Sequence, residues 1–362
     1  MKYFFASRTG IIVTGIAIGV IAPLLQYLGN PRNMGICVAC FERDIAGALG
    51  MHRAAVVQYL RPEIIGIVLG AMLVAFLGRE FKARGGSSPL IRFFLGVFAM
   101  IGALVFLGCP WRALLRLAGG DWNAIVGLTG LALGIYVGSL FLKQGYTLHR
   151  TQSYPNKSAG FVMPTLMIGL FLLLVFQVSF GEGNPIFAST QGPGASRAPL
   201  YISLVAGLIF GGLAQRSRFC TMGSLRDLFI SRDLHLFSGV VALVLTAFVL
   251  NLVLGQFNPG FIDQPIAHNM HLWNFLGMAL AGLAFCLAGG CPGRQLILAG
   301  EGDTDAGVFV LGMIVGAGFS HNFAMASSPN GIGAFGASGV AVGLIFCLAT
   351  AWIMTQQRQK AA

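Results

Sequence analysis

The residues in this chain most able to do chemistry are cysteines that precede a proline and an arginine. The motif Gly-Cys-Pro-x-Arg occurs twice, with Cys109 and Arg112 in the first copy and Cys291 and Arg294 in the second. Proline favours the first position of a helix, because its missing N–H would have no partner there. The pattern therefore predicts short helices that begin at the prolines, with a cysteine at each N-cap. Backbone N–H groups, a thiol and a guanidinium would then converge on a small anion.

A second cysteine motif is also present in two copies. Cys37 is followed six residues later by Arg43 and then an aspartate, and Cys220 is followed at the same spacing by Arg226 and an aspartate. An Arg-Asp pair also occurs at solvated helix ends, and that interpretation stays open for both copies. Together the two motifs give four cysteines and four arginines as candidates for a substrate route.

Other candidate chemistry is weaker. Cys37 and Cys40 form a Cys-x-x-Cys sequence, which is typical of redox pairs, but Gly223 stands in the second copy where Cys40 stands in the first. His268 and His271 have the spacing of two metal ligands without an evident third. The chain contains no phosphate loop, no dinucleotide fingerprint and no nucleophile–base–acid set. We therefore predict no catalytic residue, no metal and no cofactor, and a protein that is not an enzyme.

Composition indicates that these motifs lie in a membrane. Hydrophobic residues make up 56% of the 362 residues and charged residues only 10%, whereas soluble domains average roughly 25% charged residues. About ten apolar segments approach the length needed to cross a bilayer. The first is interpreted as an uncleaved span, and the segments lie at 10–28, 63–78, 90–108, 123–142, 161–180, 200–215, 236–254, 272–290, 305–320 and 335–355.

The charge pattern predicts a topology. The net charge is +11, and the basic residues flank apolar segments, which favours lipid contact over nucleic-acid binding. Lys and Arg crowd the loops at 79–92 and 143–157, whereas the stretches 255–271 and 321–334 contain neither. Basic loops stay in the cytoplasm. We therefore expect a multi-pass protein of the bacterial inner membrane with both termini in the cytoplasm.

The two halves of the chain are related by duplication. Cys109 and Cys291 lie 182 residues apart, and Gly130 and Gly134 match Gly312 and Gly316 at the same offset. About five spans in each half, an odd number, would insert the copies in opposite orientations, as in many transporters. The predicted fold is all-α: two inverted five-span repeats with short re-entrant helices that carry the cysteines. Their expected ranges are 1–160 with a fifth span at 161–180, and 181–362, forming one transmembrane domain.

At these motifs the chain resembles the YeeE/YedE family of membrane proteins over essentially its full length. The resemblance is carried by 218–227, 108–112 and 289–294, and it is closest to the YedE-related branch associated with selenium metabolism. It implies a pseudo-symmetric helical fold and uptake of thiosulfate, with Cys109, Cys291 and Cys220 or Cys37 along the route. It also implies a small TusA-like cytoplasmic sulfurtransferase as a partner. Prolines and arginines after the cysteines leave thiosulfate and a selenium compound both open as substrates.

These expectations combine into one functional prediction: a transporter that moves a small sulfur- or selenium-containing anion past paired cysteines. The main alternative is a membrane thiol–disulfide oxidoreductase that uses Cys37 and Cys40. A soft-metal transporter is disfavoured by the basic charges of the motifs, and a passive anchor for a sulfur-relay protein leaves the duplicated cysteines unexplained.

Overall fold

The computed structural model describes residues 2–177 and 186–361, and it is built almost entirely of helices. A two-residue antiparallel pairing joins two loops, with Arg84 opposite Ser153. In chain order the elements are α1 (Lys2–Phe5), α2 (Arg8–Tyr27), α3 (Val38–Ala48), α4 (Pro62–Leu77), β1 (Arg84–Gly85), α5 (Pro89–Phe106), α6 (Pro110–Ala118), α7 (Asn123–Lys143), β2 (Gln152–Ser153), a 3-10 helix (Lys157–Phe161), α8 (Val162–Phe176), α9 (Leu200–Ser217), α10 (Thr221–Ser231), α11 (His235–Val253), α12 (His271–Ala288), α13 (Pro292–Gly300), α14 (Thr304–Asn322) and α15 (Gly336–Ala361).

The long helices agree with the predicted spans. Nine segments of the described chain are long and apolar enough to cross a bilayer, and α4 is a shorter apolar helix of 16 residues. The span predicted at 161–180 contains α8, whereas 178–180 lie outside the described residues. The protein is therefore a polytopic all-α membrane protein, as predicted.

The order of long and short helices is the same in the two halves. From α2 to α8 it runs long, short, long, long, short, long, long, and it runs the same way from α9 to α15. Helices pack mainly across the halves: α4 against α9 and α2 against α11, then α7 against α12 and α5 against α14. Because these contacts join helices of different halves, the two halves form one folded unit. Their opposite orientation in the membrane remains a prediction, and the predicted boundary at 180/181 falls outside the described residues.

Matched glycines allow close contacts between these helices. A Cβ on Gly130 would lie 2.1 Å from the carbonyl oxygen of Phe275, and one on Gly312 would lie 2.2 Å from that of Phe93. The partners are themselves 182 residues apart, which is the offset of the glycines. Small residues at such positions let helix backbones approach in a membrane. The repeat in the sequence is thus also a repeat in packing.

Four short helices, α3, α6, α10 and α13, separate the long ones. They contain 9 or 11 residues and are therefore about 13–17 Å long at 1.5 Å per residue. None can cross about 30 Å of hydrocarbon. Every residue of α3 is buried, as is nearly all of α6. Most of α13 is buried as well, whereas α10 is buried only over its first four residues. The four helices carry the cysteine motifs.

Candidate functional site

The Cys-Pro steps form the helix starts that the sequence predicts. Pro110 is the first residue of α6 and Pro292 the first of α13, and Cys109 and Cys291 are their N-caps with extended backbone. The free N–H groups and positive end of each helix therefore lie beside a thiol. The prediction of N-terminal cysteines on short helices is confirmed.

Cys37 and Cys220 occupy the same kind of position. Cys37 is the N-cap of α3 and its sulfur accepts a hydrogen bond from the backbone N–H of Cys40 at 3.3 Å. Cys220 is the N-cap of α10 and accepts one from the N–H of Gly223 at 3.2 Å. All four candidate cysteines are thus N-caps of short helices. For Cys37 and Cys220 the sequence did not predict this, because no proline follows them.

The tertiary structure brings the four cysteines together as two pairs. The sulfur of Cys37 lies 3.7 Å from that of Cys109, and the sulfur of Cys220 lies 3.7 Å from that of Cys291. Each pair joins the N-termini of two short helices from the same half. We call Cys37 and Cys109 the first centre, and Cys220 and Cys291 the second centre. At each centre two soft sulfur atoms and two positive helix ends surround one point.

The arginine of the first centre is fully enclosed. Arg112 has no exposed surface, and it donates to the carbonyl oxygens of Asn33, Leu107, Pro265 and Ile266. One of its nitrogens also lies 3.9 Å from the sulfur of Cys40. Within the described residues these partners are all neutral. Its positive charge is therefore buried close to the thiols without a carboxylate to cancel it.

The arginine of the second centre has an acidic partner. Arg294 lies 3.4 Å from Glu301, and this glutamate also forms ion pairs with Arg84 and with Arg218. The Arg294 side chain is 13% exposed and that of Arg218 is 48% exposed. The second centre therefore adjoins a partly open ionic cluster, in contrast to the sealed first centre.

The Arg-Asp pairs have the same local geometry in very different surroundings. Arg43 contacts Asp44 through two nitrogens at 3.1 and 2.7 Å, and Arg226 contacts Asp227 at 2.9 and 2.8 Å. Arg43 and Asp44 are buried, and Arg61 adds a second ion pair to Asp44 at 2.7 Å. Arg226 and Asp227 are about one-third exposed. The open alternative of a solvated helix end therefore fits the second copy only.

Two buried residues near the motifs were not singled out from the sequence. Glu42, in α3, has no exposed surface, and within the described residues neither of its carboxylate oxygens has a hydrogen-bond partner. Trp111, in α6, is 3% exposed and its indole N–H likewise has no partner there. The only signal was the mismatch between the two copies, since Glu42 corresponds to Leu225 and Trp111 to Gly293.

Of the remaining cysteines, Cys40 adjoins the first centre, where its backbone N–H donates to Cys37, whereas Cys286 and Cys347 lie in other helices. Cys40 is buried in α3 beside Arg112, Cys286 lies in α12 with its sulfur 3.9 Å from the hydroxyl of Ser139, and Cys347 is buried in α15. Among the described residues no three Cys, His, Asp or Glu side chains are grouped as metal ligands.

Comparisons with known proteins identify the family of the chain. A family model described as sulphur transport matches residues 1–109 and 216–362, which is well over half of the chain. The chain is 35% identical over 112 residues to the thiosulfate transporter TsuA of Spirochaeta thermophila, covering 30% of this chain and 32% of that protein. It is 28% identical over 103 residues to the uncharacterized protein MJ1590 of Methanocaldococcus jannaschii, covering 25% of this chain and 98% of that protein. The matched part thus spans only about a third of TsuA.

Proposed function

Because this chain belongs to the sulphur transport (YeeE/YedE) family, we propose that it carries a small sulfur-containing anion of the thiosulfate type across the membrane past its two cysteine centres. The observation that supports this most directly is the pair of thiol contacts at 3.7 Å, each formed by the buried N-cap cysteines of two short helices. A selenium analogue such as selenite is the second substrate of this proposal.

The chemistry of each centre suits such an anion. Thiol S–H groups are weak donors, and they suit a sulfur or selenium atom better than they suit a strongly hydrated oxygen. Helix N-termini attract negative charge through their free N–H groups. Binding at a centre built from weak donors stays shallow enough for release, which conduction requires. Two such centres would act as successive binding sites.

The charges around the centres supply the attraction. The enclosed Arg112 has only neutral partners among the described residues, so its field reaches Cys37 and Cys40 uncancelled. In the part of the chain that the structure describes, the ionic cluster beside Arg294 contains four arginines and three carboxylates, which leaves one positive charge in excess: Arg84, Arg216, Arg218 and Arg294 against Glu80, Glu301 and Asp303. In this proposal Arg112 and Arg294 offset the charge of the passing anion, while Arg43 and Arg226 shape the helices behind the thiols.

The cellular setting of the proposal follows from the charge pattern. Loops rich in Lys and Arg would face the cytoplasm of a bacterial inner membrane, together with both termini. The first centre would then meet the anion from outside and the second would release it inside. A small TusA-like sulfurtransferase is proposed as the cytoplasmic acceptor, and lipid is the surrounding partner.

Reconstitution into liposomes tests the proposal. Uptake of labelled thiosulfate and of selenite is measured for the wild type, for Cys291→Ala and for the matched control Cys347→Ala, which removes a buried thiol outside both centres. We expect uptake of one anion that is lost in Cys291→Ala and retained in Cys347→Ala. Folded, correctly oriented protein that takes up neither anion would contradict the proposal.

The same assay separates transport from redox chemistry. An oxidoreductase that uses Cys37 and Cys40 would lose activity in Cys40→Ser and tolerate Cys291→Ser. Transport past two centres predicts the reverse order, because Cys291 forms a centre and Cys40 lies beside one.

A further inference from the structure

Trp111 connects the two copies of the Gly-Cys-Pro-x-Arg motif. It is the second residue of α6, two positions after Cys109, and Gly293 is the corresponding residue of α13, two positions after Cys291. A Cβ on Gly293 would lie 1.9 Å from Cη2 of Trp111 and 2.0 Å from its Cζ2. The indole therefore lies directly against the backbone of Gly293 and spans the distance from the first turn of α6 to the first turn of α13.

The pairing of a large with a small residue breaks the symmetry at this point. The position after Cys-Pro carries tryptophan in the first copy and glycine in the second, and the ring fits only because Gly293 has no side chain. Phe210 also packs against this indole, with ring centroids 4.4 Å apart. Only 3% of Trp111 is exposed. The ring thus fills the space between the two Cys-Pro steps.

The polar atom of this ring is unused. The indole N–H of Trp111 is buried and has no hydrogen-bond partner among the described residues. A buried N–H without a partner costs free energy, and such groups call for an explanation, such as a ligand that completes them. This N–H is therefore available to an anion that passes beside the ring.

We propose that Trp111 is the barrier between the two cysteine centres, and that its indole N–H donates to the anion during the step from the first centre to the second. This inference rests on the proposed transport function and adds a residue that positions and selects the substrate. The ring closes the route at rest against small ions. At rest the ring blocks the route, so chloride does not leak past it. During the step between the centres an oxygen of the sulfur oxyanion accepts a hydrogen bond from the N–H.

Two substitutions separate the barrier from the donor. Trp111→Phe retains an aromatic ring and removes the N–H, so uptake of labelled thiosulfate at limiting concentration should fall about tenfold, the effect of one hydrogen bond to an anion, while chloride leak stays at the wild-type level. Trp111→Ala removes the ring, so passive chloride efflux from liposomes should rise about tenfold or more. Trp122→Phe, which changes an exposed tryptophan, is the control for both.

The two readouts distinguish this proposal from the proposed function. If the wild type takes up thiosulfate and both Trp111 variants behave like it, the barrier is wrong and the transport function stands. If the wild type takes up no thiosulfate but Trp111→Ala leaks chloride, the barrier is supported and the substrate class is wrong. Absence of leak in a monodisperse Trp111→Ala protein overturns the barrier in either case. Should that variant fail to fold, Trp111→Leu, which retains apolar contact with Phe210, replaces it.

Discussion

The first and the second cysteine centre share a backbone plan but lie in different surroundings. Both place two N-cap thiols 3.7 Å apart on short helices. Around the first, Arg112 is fully buried among carbonyl oxygens and Asp44 is buried between two arginines. Around the second, Arg294 and Asp227 are partly exposed and belong to ionic contacts near the surface. The two halves share the thiol geometry, whereas the charges around it differ.

This difference predicts that the two centres have different roles in transport. Sealed polar contacts fix the first centre rigidly, because a buried charge that loses its partner is very costly. Partly solvated ion pairs at the second centre contribute little to stability and can exchange partners at low cost. In a transporter we therefore expect conformational change to concentrate at the second centre.

The largest effect should come from the buried aspartate. Asp44→Asn leaves Arg43 and Arg61 buried without a carboxylate, and we expect it to lower the free energy of unfolding by about 3–5 kcal/mol. The matched change Asp227→Asn affects a partly exposed pair and should cost at most about 1 kcal/mol. Denaturant unfolding in detergent micelles measures both. Equal losses would show that the burial of the first pair has no energetic consequence.

A second comparison uses the arginines of the Cys-Pro motif. Arg112→Ala removes the donors for four carbonyl oxygens, and we expect the free energy of unfolding to fall by about 3 kcal/mol. Arg294→Ala should lose about 1 kcal/mol, because Glu301 keeps Arg84 and Arg218 as partners. Thermal unfolding in the same detergent shows which of the two variants is less stable. A larger drop in Tm for Arg294→Ala would reverse the comparison.

Substitutions at matched glycines, where the two halves pack alike, should lower the free energy of unfolding equally. Gly130→Ala and Gly312→Ala each place a methyl group about 2 Å from a carbonyl oxygen of the facing helix, and overpacking of this kind costs about 1–3 kcal/mol. Gly169→Ala is the control, since its Cβ would have no neighbour within 4 Å. Unfolding free energies of the three variants test this. Unequal values for the first two would indicate that the halves pack differently.

The smallest expected effect comes from a substitution that makes the first half more like the second. Glu42 corresponds to Leu225 in the matched motif, and its carboxyl group is buried without a partner among the described residues. Glu42→Leu should raise the unfolding free energy by about 1 kcal/mol, because it removes an unsatisfied buried polar group. Glu42→Gln, which stays polar, serves as the control. A marked loss of stability in Glu42→Leu would reveal a partner for this carboxyl group.

The sequence determined much of this architecture by itself. Apolar length predicted the ten long helices, because the hydrocarbon core sets a minimum span. Proline at the first helical position predicted that Cys109 and Cys291 would be N-caps, because this rule is local and depends only on neighbouring residues. The duplicated motifs marked all four cysteines and four arginines as candidates. Whether those residues line a substrate route is a prediction that the liposome assay tests.

Only the tertiary structure decided which residues meet. No sequence pattern predicted that Cys37 would pair with Cys109 rather than with Cys220, because such contacts depend on how helices far apart in the chain pack. The burial of charged residues could not be predicted from the sequence either, because the same Arg-Asp dipeptide is buried in one half and partly exposed in the other. The contact of Trp111 with Gly293 joins residues 182 positions apart. Local rules fix helix ends, whereas the environment of a charge or a ring is set by neighbours that only the folded chain supplies.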